Sequence, residues 1–374
     1  MRKLTYIIHS LQFAGAERLV LDLVNILKNN YDISIISVYQ SQDTDGKNKI
    51  EKVLKELGIK HISLNKKIGS SKYKTLFLLN KVIKELDPDI IHAHTLMPNI
   101  YSGLRNILFS KIPTITTIHS GGNDWSHKST WYLERMSIAG VSKIVTVSSY
   151  VEEMYKSILK LKGNKKIITI ENGINTQKFN DVDESLLREK KKKLGIRNNE
   201  IVLINVARVV PNKGQRFLLE VLSKLDYNYK LLIVGNLENM EFYCQLKREI
   251  SERGLGDRVL FLGSRDDVNE LLRISDIFVF PSYYEASGIA LMEAMYTNKK
   301  IISSPLPTAK DFSKNYEDIH IAGFDSDIWA QKIREINNKN NKNKRNFNNK
   351  EFYYSIERVA LAYSNLYLEL LKKK

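Results

Sequence analysis

Short apolar runs of about five or six residues, each followed by a helix-like segment, recur along the whole chain. This alternation restricts the fold more than any other feature. In the first half LTYIIH (4–9), ISIISV (33–38), KHISL (60–64), DIIHAH (89–94), PTITTIH (113–119), KIVTVS (143–148) and KIITI (166–170) read as strands. Helices are expected near 16–29, 49–57 and 74–86, with helical segments after the later strands. In the second half IVLINV (201–206), YKLLIVG (229–235), RVLFLG (258–263), DIFVFPS (276–282) and KKIISS (299–304) alternate with helices near 214–225, 240–253, 267–273 and 288–296. Runs that are apolar throughout belong to strands buried on both faces, and strand–helix alternation is the mark of parallel βαβ units. The first series ends at the Asn172-Gly173 turn and the second begins near 197. Two doubly wound, Rossmann-like α/β domains are therefore expected, 1–180 and 181–350, as a length of 374 residues also suggests. A last amphipathic helix over 351–371 places Phe352, Ile356, Val359, Tyr363, Leu366 and Leu370 near one face.

Composition narrows the setting. A single cysteine, Cys244, excludes an internal disulfide framework and fits a reducing cytoplasm. No apolar run approaches the roughly 20 residues that span a bilayer. The net charge is +16, and residues 1–180 hold 26 Lys and Arg against 15 Asp and Glu, while 181–374 hold 32 against 27. Nucleic acid, an anionic membrane surface or phosphorylated substrates could each use that excess. A Lys/Asn-rich coding bias, plain in NNKNNKNKRNFNNK (337–350), could also account for it. A nucleic-acid binder would interleave basic and aromatic residues on one face, and the strand-end loops do not. Lys66, Lys67, Lys72 and Lys74 could together hold the first domain on an anionic membrane, with Leu76, Phe77 and Leu79 of the following helix entering the interface.

Ligands of doubly wound sheets bind beyond the carboxyl ends of the strands. Candidate chemistry is accordingly sought there, in a cleft that two facing domains would form. Gly15 stands at the entrance of the first helix, where backbone amides can approach a phosphate, although a plain helix start explains it as well. His119 ends the fifth strand before Ser120-Gly121-Gly122 and could hydrogen-bond a substrate or be an ordinary loop histidine. His92 and His94 alternate on one strand and so face the same way, but no third ligand is spaced for a metal. Arg208, Lys213 and Gly214 follow the first strand of the second half. Two cations beside a helix start can neutralise a diphosphate leaving group. In YYEASGIALMEAM (283–295), Glu285 lies in a loop and Glu293 within an apolar run. A buried carboxylate there needs partners such as the hydroxyls of a ribose. The amides of Ser287, Gly288 and Ile289 open the helix and can hold phosphate. The pairs Asp43-Thr44-Asp45 and Asp87-Pro88-Asp89 read as a polar loop and a turn, and no metal or other cofactor is expected.

Taken in order, AGAERLV, IIHAHT, His119, ENGIN (171–175), ARVVPNKG, VLFLGSRDDV (259–268) and E-x7-E as EASGIALME resemble the retaining glycosyltransferases of family 4, with the GT-B fold. The resemblance covers nearly the whole chain. It implies that Glu293 binds the nucleotide ribose and Glu285 the donor sugar. Arg208 and Lys213 would hold the diphosphate with amides near Gly15, and His119 would touch the sugar. The base would sit against Ser264 and Arg265, and the final helix (351–374) would cross back to an acceptor-binding first domain. The expected reaction moves a hexose or N-acetylhexosamine from a nucleoside diphosphate sugar, UDP before GDP, to a lipid-linked glycan acceptor at the inner face of the membrane. Ala14-Gly15, Ala286-Ser287-Gly288 and SPLPTAKDF (304–312) depart from the family's usual residues. The rival reading is a non-catalytic partner of an active transferase.

Overall fold

The computed structural model describes residues 1–12, 15–41, 44–67, 69–120, 128–179, 182–338 and 352–372. Ala14, Asp43, Gly121-Gly122 and the Lys/Asn run over 339–350 lie outside these residues. The chain divides into two compact units, Met1–Ile174 with Tyr353–Lys374, and Asn175–Phe352.

The first unit runs β1 (Arg2–Ile8), α1 (Gly15–Leu27), β2 (Tyr31–Tyr39), α2 (Thr44–Glu56), β3 (Lys60–Lys66), α3 (Lys72–Leu86), β4 (Ile90–His94), α4 (Leu96–Leu108), β5 (Thr114–Ile118), α5 (Lys128–Ser137), β6 (Lys143–Thr146), α6 (Ser149–Ile158) and β7 (Ile167–Thr169). Its strands lie in the order β3-β2-β1-β4-β5-β6-β7, every neighbouring pair parallel. The order reverses direction between β1 and β4, which makes the carboxyl ends of those strands the switch point where such sheets bind ligands. Asp87-Pro88-Asp89 is a structural turn. Asp87 ends α3 in the left-handed conformation, and Asp89 accepts from the Lys3 amide at 2.9 Å and pairs with Arg2.

The C-terminal helix (Ile356–Lys372) belongs to this unit and packs along α1. Ile356, Val359, Ala360, Tyr363, Leu366, Tyr367 and Leu370 join the core of Leu19, Leu23, Val24 and β1. Each apolar side chain buried in this way stabilises by roughly 1.5–3 kcal/mol. The chain leaves and re-enters the unit side by side: the Ile174 amide donates to Tyr354 O at 2.8 Å and the Ile356 amide to Ile174 O at 2.9 Å.

The second unit runs α7 (Glu184–Lys193), β8 (Ile201–Val206), α8 (Gln215–Ser223), β9 (Tyr229–Val234), α9 (Met240–Glu252), β10 (Val259–Gly263), α10 (Val268–Ile274), β11 (Ile277–Phe280), α11 (Ile289–Tyr296), β12 (Lys300–Ser303), α12 (Pro307–Ser313), β13 (Ile319–Ile321) and α13 (Ser326–Asn338). Its sheet is also parallel, in the order β10-β9-β8-β11-β12-β13, and reverses between β8 and β11. Four of these elements escape a reading of periodicity. β13 has only three residues, too few to show a pattern, and forms by pairing with β12. α7 buries none of its residues, so it carries no apolar stripe; Asp183 caps it by accepting from the Ser185 amide at 2.8 Å. α12 is short, and α13 lies beyond the last expected strand.

The membrane-facing stretch is corrected by α3. Leu76 and Leu79 are core residues, and Lys66 is buried with its Nζ on the Ser70 carbonyl and hydroxyl and over the Tyr39 ring. The large apolar side chains that α3 does expose are Tyr73, Phe77 and Leu78, and Lys72, Lys74, Lys81, Lys84 and Glu85 are exposed with them.

Candidate active site

In the second unit the two loops that follow β8 and β11 meet because those strands are neighbours. The Tyr283 amide donates to Asn212 O at 3.0 Å, and Gly214 approaches the other loop so closely that a Cβ there would lie 2.2 Å from Pro281 O. Gly214 also has φ +72°, a conformation glycine adopts without strain. Beneath the loops, fully buried Asn205 donates to Val279 O, and buried Gln215 donates to Arg208 O at 2.9 Å, which fixes the backbone at Arg208.

The structure brings Lys213 and Glu285 into direct contact, Nζ to Oε2 2.7 Å, with both side chains largely shielded. Each was expected to meet a different part of a donor; here each neutralises the other. Removing one partner of a shielded pair leaves the other charge uncompensated, so the two side chains act as a unit. Arg208 extends to solvent and is gripped by both oxygens of Glu238, at 2.9 and 2.7 Å. Glu238 carries no motif, which is why the sequence alone does not single it out.

α11 begins at this point. Gly288 precedes it with φ +67°, and its first intrahelical bond runs from the Met292 amide to Gly288 O. The preceding amides, Ile289 among them, have no intrahelical acceptor and carry the partial positive charge of a helix start. Ser287 is buried beside them. Glu293 lies one turn further along α11 and is half-buried, not fully buried as its apolar neighbours suggest. Ser264 and Arg265 follow β10 and are exposed. Arg265 is engaged by Asp267 through two bonds of 2.7 and 2.6 Å, and Lys190 joins the same cluster with Glu270. These cations hold the Asp267 carboxyl well below the usual carboxylate range.

In the first unit, Gly15 opens α1 and His119 follows β5. Glu17, in the first turn of α1, is buried, and desolvation pushes its carboxyl up to about 7. Nothing in AGAERLV distinguishes this buried carboxyl from an ordinary first-turn glutamate. His119 Nε2 lies 2.8 Å from His94 Nδ1. Behind them runs a buried chain of polar aromatic contacts. His92 Nδ1 meets Tyr367 Oη and its Nε2 meets Thr117 Oγ1, both at 2.7 Å. Tyr367 Oη also meets Tyr6 Oη, and Thr117 Oγ1 meets Tyr363 Oη. With both nitrogens so engaged, His92 is a structural residue rather than a metal ligand. Thr95, next in the chain after His94, has φ +72° and ψ 164°, a region nearly confined to glycine. Such strain costs about 1–3 kcal/mol and persists only where surrounding structure enforces it. Here the Thr95 amide is held by Thr117 O, and Asn99 Nδ2 donates to the same carbonyl.

Two parallel doubly wound sheets, each with candidate residues in the loops that follow its strands, are the architecture of the GT-B class of α/β proteins. Residues 13–178 match the model of Glycosyltransferase Family 4, and residues 188–351 that of Glycosyl transferases group 1. The chain belongs to this glycosyltransferase family. It is 31% identical over 216 residues, 55% of its length, to the N-acetyl-alpha-D-glucosaminyl L-malate synthase of Bacillus anthracis, of which the match covers 54%. It is 26% identical over 93% of its length to GalNAc-alpha-(1->4)-GalNAc-alpha-(1->3)-diNAcBac-PP-undecaprenol alpha-1,4-N-acetyl-D-galactosaminyltransferase of Campylobacter jejuni, covering 92% of that protein. The chain thus spans about half the length of the first relative and nearly all of the second. Among solved structures, Anabaena HepE in complex with UDP and glucose superposes with a TM-score of 0.76 at 17% identity, over 100% of this chain and 98% of that one.

Proposed function

We propose that the chain is a retaining glycosyltransferase that moves a hexose or N-acetylhexosamine from a nucleoside diphosphate sugar to a hydroxyl of a lipid-linked glycan in cell-envelope assembly. The observation that carries this reading is the group at the β8–β11 switch point. Arg208, the Lys213–Glu285 pair and the start of α11 all lie in the loops after those two strands, with Glu293 one turn along the helix. A diphosphate suits the helix start and the two cations, which would exchange their carboxylate partners for phosphate oxygens. Glu293 would then take the ribose hydroxyls, Glu285 the sugar, and Ser264 and Arg265 the edge of the base. On the first unit, His119 would meet the sugar and the amides at Gly15 the diphosphate.

The sugar's anomeric carbon would lose its bond to the diphosphate oxygen as the acceptor hydroxyl forms a new one on the same face. The departing phosphate oxygen would take the acceptor's proton. Charge grows on the diphosphate along this path, so Arg208 and Lys213 would contribute most in the transition state and no metal would be required. UDP is the favoured carrier, a choice supported by the UDP bound in HepE. A lipid-linked acceptor is supported by the undecaprenol diphosphate in the name of the Campylobacter jejuni relative. It would place the enzyme on the cytoplasmic face of an anionic membrane. No helix among the described residues is long and apolar enough to cross one.

Titration with UDP and GDP tests the nucleotide site. Glu293→Gln removes one of two carboxylate oxygens and is expected to weaken UDP binding about tenfold or more, since hydrogen bonds to charged groups contribute roughly 1.5–3 kcal/mol. Unchanged affinity for both nucleotides would remove Glu293 from the ribose. Turnover that EDTA abolishes and magnesium or manganese restores would overturn the cationic account of the leaving group.

A further inference from the structure

His94 ends β4 beside the reversal of strand order in the first sheet. It is fully buried, one ring nitrogen faces His119, and the other, Nε2, is buried with no hydrogen-bond partner among the described residues. The rings around it are fixed: His92 lies 4.1 Å away between centroids and Tyr6 5.7 Å, and both are tied into the hydroxyl chain that reaches the C-terminal helix.

The 2.8 Å contact between His94 Nδ1 and His119 Nε2 needs one proton between them. If His119 Nε2–H donated, neutral His94 would carry its own proton on Nε2, as an N–H buried with nothing to bind. If His94 Nδ1–H donates, Nε2 is only a bare lone pair. Orphaned buried N–H groups are rarer in native proteins than under-satisfied acceptors, because the donor's lost bond to water has no substitute. Both rings are neutral near pH 7, since burial holds His94 well below the usual imidazole range and lowers His119 to about 4.

We infer that His94 is a positioning residue. It donates Nδ1–H to His119 Nε2, and so holds His119 in the tautomer that carries its proton on Nδ1. With Nε2 occupied, His119 acts on a ligand as a hydrogen-bond donor through Nδ1–H and not as an acceptor. The sugar as that ligand rests on the function proposed above; the tautomer does not.

Long-range proton–nitrogen NMR of the full chain labelled with ¹⁵N-histidine reads this directly. His119 is expected as the Nδ1–H form and His94 likewise, each with a bare Nε2. An Nε2–H signature on His119 overturns the inference. His94→Asn places an amide N–H near the position of Nδ1 and is expected to keep His119 in the same form. His94→Phe keeps a flat ring without the donor and is expected to release His119 to a mixture of tautomers. His119 unchanged in folded His94→Phe also overturns it. Should the Phe variant fail to fold, the wild-type spectrum and His94→Asn still decide. Hydrolysis of UDP-glucose and UDP-N-acetylglucosamine supplies a second measure. The loss of one hydrogen bond corresponds to roughly a tenfold fall in kcat for His94→Phe, with recovery in His94→Asn. Full activity in His119→Ala would instead refute the sugar contact, leaving the NMR result standing.

Discussion

Glu17 shows at the scale of one residue how burial changes chemistry that composition cannot reveal. Its carboxyl is raised from 4.5 to about 7 by desolvation. Between those values the native state holds a proton that the unfolded chain has lost. Stability therefore falls as pH rises through this window and stays lower above it. Glu17→Gln removes the charge and keeps the shape. We expect it to raise the unfolding free energy at pH 8 by up to about 3 kcal/mol and to change little at pH 4.5. Thermal or urea unfolding at the two pH values checks this, and equal destabilisation at both would point to a partner that stabilises the charged form. Lys213 and Glu285 make the complementary case. Both were picked as candidates from their loops, but their mutual 2.7 Å contact depends on β8 and β11 being neighbours in the sheet.

At the scale of the element, α3 and the end of α4 present Tyr73, Phe77, Ile107 and Leu108 to solvent. Phe77 and Phe109 join the two helices edge to face, with ring centroids 5.5 Å apart. Exposed Lys67, Lys72, Lys74, Lys81 and Lys111 accompany them. Basic and aromatic residues on one side of a helix suit an anionic lipid surface, and each lysine near it contributes roughly 1 kcal/mol. This is the corrected form of the membrane-facing stretch. In vesicle flotation the protein is expected to float with anionic vesicles at low salt and to be released by salt. Lys72→Gln with Lys74→Gln and Phe77→Ser should abolish binding while UDP affinity is kept. Equal binding to neutral vesicles, or none to either type, would return the charge to coding bias. The C-terminal helix shows the opposite balance: its apolar face was readable from spacing, whereas Tyr363 and Tyr367 matter for hydroxyls aimed at Thr117 and His92.

Across the whole molecule the titrating groups are unevenly shared. The first unit has six histidines, and the five that are described, His9, His61, His92, His94 and His119, are all held below the usual imidazole value by burial. Unfolded histidines bind protons as pH falls through about 6.5, whereas these native rings resist, so stability falls with acidification below that value. Glu17 acts in the opposite sense over part of the same range, one group against five. The second unit holds His320 as its one histidine. Acid is therefore expected to loosen the first unit before the second. Hydrogen exchange at pH 7.5 and 5 should show protection lost first in β4, β5 and the C-terminal helix. Loss that begins in β8 and β11 would contradict this.

The local pattern of residues was enough to determine two series of buried strands apart from β13, most of their helices and the loops that hold the candidate site, because strand burial and turn chemistry act over short stretches. Arg208, Lys213, Glu285 and Gly288 became candidates by their place after strands for that reason. The order of strands was not readable, since it depends on pairing between segments far apart in the chain. Strand order decides that Lys213 reaches Glu285, that His94 reaches His119, and that Leu76 and Leu79 belong to the core while Phe77 faces water. Burial also sets the proton affinities of Glu17 and the histidines, because desolvation depends on everything packed around a group and not on its neighbours in sequence.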